Sequence, residues 1–255
     1  MLAVPLLADF AVRLAFGLIL ALIGTSWRAV PLRFFRIHTQ VILGVLVLAA
    51  LAQARASGPG PPIWLVVAAA VLAYLATVSW GLGLPRIGVV CGVLAALATA
   101  AWLTEASRFA PAGSWALNAL SRGASGFLMG ATLTAMLLGH YYLIAPAMTI
   151  EPLKRSVCWI ALGLAARCLL ASLGVLIAYA EPWRPDAGRL TADPTLLVAR
   201  WGLGFVGTAV SVYLAYRTVQ IRSTQSATGI LYITMIFVLF GELTSLVDVS
   251  RGVMG

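Results

Sequence analysis

The sequence predicts an all-α integral membrane protein, a bundle of about eight transmembrane helices. Two observations carry this. Hydrophobic residues make up 62% of the chain and charged residues 10%, with a mean hydropathy of +0.99, whereas a soluble domain is about 45–50% apolar and about 25% charged. The apolar residues also fall in long continuous runs, each near the ~20 residues that cross a bilayer as a helix, and not in the short alternating segments of a barrel. The runs are 8–25, 37–54, 63–82, 87–104, 123–145, 157–179, 196–216 and 228–248, one polytopic domain over 1–255.

The first run lies in MLAVPLLADFAVRLAFGLIL, which has no basic leading region and carries Asp9 before its apolar core. No small-x-small site follows, so it reads as a retained helix and not a cleaved signal peptide. The second opens in LRFFRIHTQVILG. ASGPGPP at 56–62 separates it from the third, and GLGLPRIG at 81–88 turns the third into the fourth. FAPAGSWALNALSR at 109–122 sets Trp115, Leu117 and Leu120 among polar neighbours, which predicts a short interfacial helix anchored by Trp115. The fifth run ends at Pro146, and the sixth contains ALGLAARCLLASLG. Between the sixth and seventh, EPWRPDAGRLTADP at 181–194 is long enough to dock a partner and too short to be a domain. GLGFVG at 202–207 lies inside an apolar run with no preceding strand, so it reads as helix packing and not dinucleotide binding. No internal repeat of the kind found in inverted-repeat transporters is evident.

The formal charge of +9 reflects 17 basic residues of which only Lys154 is lysine. Most lie in loops or at helix ends, where basic residues set topology and meet lipid headgroups, and nucleic acid is not an expected partner. Apart from Arg167 in mid-helix, the two sides of the membrane receive eight each. Arg28, Arg33 and Arg36 follow the first helix, which usually dominates, so both termini are expected outside the cytoplasm. The arginine bias fits a GC-rich bacterial genome and hence a bacterial cytoplasmic membrane. Cys91, Cys158 and Cys168 form no CxxC pair and fall inside helices, so they carry no metal or disulfide signal. HExxH, P-loop, GxSxG and acidic-pair motifs are absent, so no stand-alone enzyme is indicated.

Polar residues at membrane depth carry the chemistry, because a charge at the bilayer centre costs at least ~2.5–3.5 kcal/mol. Arg167 and Glu242 sit in the sixth and eighth helices, which run in the same direction. They lie about twelve and about fourteen residues from their helix starts, so their depths agree within ~3 Å at 1.5 Å per residue. A buried ion pair is expected, with Gly163, Ala171, Gly174 and Ala178 forming a small-residue stripe on the face of Arg167. His38 opens the second helix and His140 lies near the end of the fifth. Two histidines from separate helices are the minimum for bis-imidazole ligation of haem b iron. Arg33 and Arg36 would suit its propionates, and Tyr141 with Phe34, Phe35 and Tyr142 would pack its faces. The same group would equally line a quinone pocket. Arg217, Arg222 and Gln225, with Gln220, Ser223 and Thr224, form a polar patch before the eighth helix, suited either to an anion or lipid headgroup or to an ordinary capped turn.

Three functions stay open. The first is a membrane subunit of a respiratory or photosynthetic electron-transfer complex, contacting haem b or quinone and working with other membrane or redox subunits. The second is a small transporter or channel using the Arg167–Glu242 pair, and the third a structural subunit without a cofactor. The first is preferred, because the histidines suit haem and a transporter is expected to show broken helices.

Overall fold

The computed structural model describes residues 3–56, 60–108, 115–145, 148–180 and 198–253. Among these residues it is an all-α bundle, with eight helices long and apolar enough to cross a membrane. They are α1 (Ala3–Gly24), α2 (Leu32–Arg55), α3 (Ile63–Gly81), α4 (Pro85–Arg108), α5 (Trp115–Ile144), α6 (Glu151–Ala180), α7 (Val198–Gln220) and α8 (Thr224–Val253). The eight helices each contain one of the apolar runs, apart from a residue or two at some ends. Where they differ, the helix is usually longer, since hydropathy sees only the part in hydrocarbon. The extension is largest in α5, which starts at Trp115. WALNALSR holds no proline or glycine, so the expected interfacial helix is instead the first two turns of α5. Trp115 remains exposed there. Residues 109–114 and the loop 181–194 lie outside the described residues.

Helices α1 and α5 form the centre. α1 packs on α5, α2 and α4, while α5 also meets α6, α8 and α4; α2, α3 and α4 pack in sequence, and α7 rests on α8 and α6. The α1–α5 crossing is the tightest. A Cβ on Gly17 would lie 1.7 Å from the Gly126 carbonyl oxygen, and one on Gly130 would lie 2.0 Å from the Gly17 carbonyl carbon. Gly126 and Gly130 are four residues apart, the small-xxx-small spacing that brings helix backbones together in lipid. Leu51, Trp64, Leu97, Leu162, Leu169 and Val206 are exposed on the outside of the bundle. In water that would be an aggregation liability; in a bilayer it is the lipid-facing belt.

Helix α7 is not uniform. Val198–Gly207 is π-helical and Thr208–Gln220 is α-helical. Long π segments are rare, and backbone departing from α geometry is tolerated at membrane depth where protein covers it. Here Gly204 meets Gly241 of α8 so closely that a Cβ on Gly204 would lie 2.7 Å from the Gly241 Cα. GLGFVG is therefore a packing element, and it lies against the residue preceding Glu242.

Candidate functional site

The richest chemistry lies in the half of the bundle nearest the chain termini. α6 and α8 bring Arg167 and Glu242 together as a buried, two-pronged pair: Arg167 Nε donates to Glu242 Oε1 at 2.8 Å and Nη2 to Oε2 at 3.2 Å. The remaining polarity is taken up by serines. Nη2 also donates to Ser245 Oγ at 3.0 Å, Nη1 to Ser121 Oγ at 3.1 Å, and Ser125 Oγ donates to Glu242 Oε2 at 2.6 Å. Arg167 is 3% and Glu242 4% exposed. Such a charge pair is tolerable only when forked geometry and added hydrogen bonds offset its desolvation.

Three further charges adjoin it. Asp9 of α1 pairs with Arg13 one turn on and with Arg122 of α5, whose Nη1 donates to Asp9 Oδ1 at 2.8 Å. Arg13 also lies within electrostatic reach of Glu242, which links the two groups. Segment SRGAS of α5 (121–125) is the hub: Ser121 and Ser125 serve the Arg167–Glu242 pair and Arg122 serves Asp9. Gly126, next in the chain, permits this by letting the Arg13 backbone approach, since its Cβ would stand 2.4 Å from the Arg13 carbonyl oxygen. The network carries three guanidinium groups and two carboxylates, and Arg13 Nε is buried with no hydrogen-bond partner among the described residues. From the sequence alone Arg13 and Arg122 read as ordinary basic residues near helix ends. The i,i+4 spacing of Asp9 and Arg13 inside an apolar helix was the available clue.

The small-residue stripe of α6 is only partly a contact face. Gly163 lies against Leu128 of α5, and Ala171 is buried, but no described residue outside α6 comes within 4 Å of a Cβ placed on Gly174. The side chain of Ala178 lies outside the described residues.

At the opposite end His38 is buried, with Nε2 3.2 Å from Thr134 Oγ1 of α5 and its ring 4.6 Å from that of Phe34. Phe34 also meets Tyr141 edge-on at 5.8 Å. Behind His38, the Thr39 and Thr77 hydroxyls are 3.0 Å apart. His140 is exposed, as are Arg33 and Arg36. The reason is helical phase. His140 follows Thr134 by six residues, about 240° around α5 and about 9 Å further along, so it cannot face the contact that Thr134 makes with His38. The two histidines therefore face different surroundings, His38 the α2–α5 interface and His140 the outside of the bundle. His38 and Tyr141 remain grouped through Phe34. We expect His38→Ala to lower stability by about 2 kcal/mol through a cavity and a lost polar contact. His140→Ala should stay within about 0.5 kcal/mol; denaturant titration in micelles compares them.

Arg217, Arg222 and Gln225 are all exposed. Arg217 Nη1 donates to Tyr213 Oη at 3.2 Å within α7, and Ser223 and Ser226 pair their hydroxyls at 3.0 Å across the first turn of α8. Arg222 occupies the turn with φ 57°. All three lie in or beside the turn between α7 and α8. Among the described residues no group of three or more His, Cys, Asp or Glu side chains is placed to hold a metal ion. Compared with known families, curated proteins and solved structures, the chain shows no match to any of them.

Proposed function

We propose that the protein is a small membrane transporter or channel whose working element is the network of Asp9, Arg13, Arg122, Arg167 and Glu242. The observation that carries this reading is the gathering of five ionisable side chains from α1, α5, α6 and α8 inside the bundle, in two ion-paired groups that meet on the Ser121–Ser125 segment of α5. Pinning two helices together would take one pair, and every further charge adds an insertion cost. The unpartnered Arg13 Nε offers a donor to a passing anion or hydroxyl. The π-helical part of α7 supports the same reading, because it packs against the residue before Glu242, and broken or irregular helices accompany transport sites.

Purified protein in liposomes should carry protons or a small anion such as chloride down an imposed gradient, and Glu242→Gln should reduce that flux at least about tenfold. Glu242→Gln keeps the side-chain volume, so unchanged tryptophan fluorescence would separate loss of flux from loss of fold. Wild-type flux equal to that of empty vesicles, for protons, chloride and acetate alike, would overturn the proposal.

The grouping of His38, Phe34 and Tyr141 favours a second reading, an electron-transfer subunit contacting a quinone beside partner redox subunits. A reduced-minus-oxidised absorption spectrum and quinone extraction from the purified protein test it. For either function we place the chain in a bacterial cytoplasmic membrane with both termini outside, on the strength of Arg28, Arg33 and Arg36 after α1.

A further inference from the structure

Between α6 and α7 runs an apolar cleft of about 720 Å³. Its α6 wall is made of small side chains, chiefly Cys158, Ala161, Ala165 and Cys168, and its α7 wall of Trp201, Phe205 and Tyr213. The small side chains on the α6 wall leave the space. Helix α6 is the most exposed span of the bundle, with 22% of its apolar window buried against 61% for α1. The cleft therefore opens onto lipid.

Length and charge define the occupant. From Val157 to Cys168 the α6 wall rises about 16 Å at 1.5 Å per residue, close to half of the ~30 Å hydrocarbon core and so to the depth of one leaflet. At the end where α6 starts and α7 stops, both walls finish in a cation. Lys154 precedes Cys158 by one turn on the same stripe and is half-buried. Arg217 leans over the Tyr213 ring at 5.9 Å and donates to its hydroxyl. Glu151 stands in the first turn of α6, but no carboxylate follows it through Ala180, and none lies between Trp201 and Gly241. An apolar channel one leaflet deep, ending at two cations, matches one kind of molecule.

We propose that this cleft binds an anionic phospholipid, with one acyl chain between α6 and α7 and the phosphate between Lys154 and Arg217. This assignment does not depend on the transport reading, although Cys168 of the cleft wall follows Arg167 in the chain and Trp201 and Phe205 belong to the π-helical stretch.

Native mass spectrometry of the full chain released from micelles tests it, with dimyristoyl phosphatidylglycerol and phosphatidylcholine as probes of equal chain length. Wild type should retain one phosphatidylglycerol in preference to phosphatidylcholine. Lys154→Ala with Arg217→Ala should lower that preference by more than about tenfold, at roughly 1 kcal/mol per basic residue. Ala165→Phe, at an exposed position that tolerates volume, should expel both lipids by filling the cleft. A second readout is the thiol of Cys168, which bound phosphatidylglycerol should shield from a membrane-permeant maleimide. Equal retention of the two lipids by wild type would overturn the proposal, as would a preference untouched by both variants or a lipid-insensitive dimer sealed along α6 and α7.

Discussion

Replacing Glu242 by leucine should destabilise the protein by about 3–5 kcal/mol, because it strands the Arg167 guanidinium among apolar helices with only serine hydroxyls for company. Replacing Arg167 by leucine should cost a similar amount for the mirror-image reason. The double variant should lose less than either single one, since two leucines occupy the space of a pair whose desolvation was costly. A double-mutant cycle by denaturant titration in micelles would measure this. The cycle also bears on function. If the network serves only to fix packing, the double variant should behave like wild type in every assay; if the network carries an ion, that variant should be stable and fail to transport. Additive single and double effects would mean that the two side chains are not coupled.

The second large effect is expected at the α1–α5 crossing. Gly17→Leu would drive a side chain into the Gly126 carbonyl, already 1.7 Å from where a Cβ would begin. Backbone cannot yield as the end of a flexible side chain can, so the helices must separate. Overpacking usually costs about 1–3 kcal/mol, and this site should lie above that range. Separation would also carry Arg13 away from Glu242 and shift Asp9 from Arg122, so any transport should fail with the fold. Gly44→Leu is the matched control, because nothing lies within 4 Å of a Cβ there. Size-exclusion profiles of the two variants should differ sharply, with Gly17→Leu aggregated and Gly44→Leu monodisperse.

The spans were legible because lipid imposes one requirement, a run of apolar side chains matched to its thickness. Helix ends were less so: Trp115–Arg122 belongs to α5 although its polar residues project beyond the apolar run. Arg167 and Glu242 stood out because isolated charges in mid-helix have no cheap explanation. The pairing of Asp9 with Arg13 and Arg122 was not legible, because charges near helix ends have several explanations, including headgroup contact and topology. The histidine pairing shows a different limit. Depth can be counted along a sequence, but the direction in which a side chain points depends on how helices are rotated, and that is settled by packing such as the Gly17–Gly126 contact. The π-helical stretch of α7 left no clear trace, since VARWGLGFVG carries only three glycines to distinguish it from an ordinary apolar helix.

The separation of Arg167 and Glu242 along the chain has a bearing on biogenesis. Asp9 and Arg13 are synthesised within one turn of each other and can enter the bilayer already neutralised. Arg167 and Glu242 lie 75 residues apart, and at roughly 5–20 residues per second the ribosome needs about 4–15 s to deliver the second after the first. During that interval α6 holds an arginine at membrane depth with its carboxylate not yet made. Ser121 belongs to the preceding helix and is already in place to accept from the guanidinium. The newborn chain thus has a temporary partner for its most costly residue, and α8 completes the bundle by supplying the permanent one.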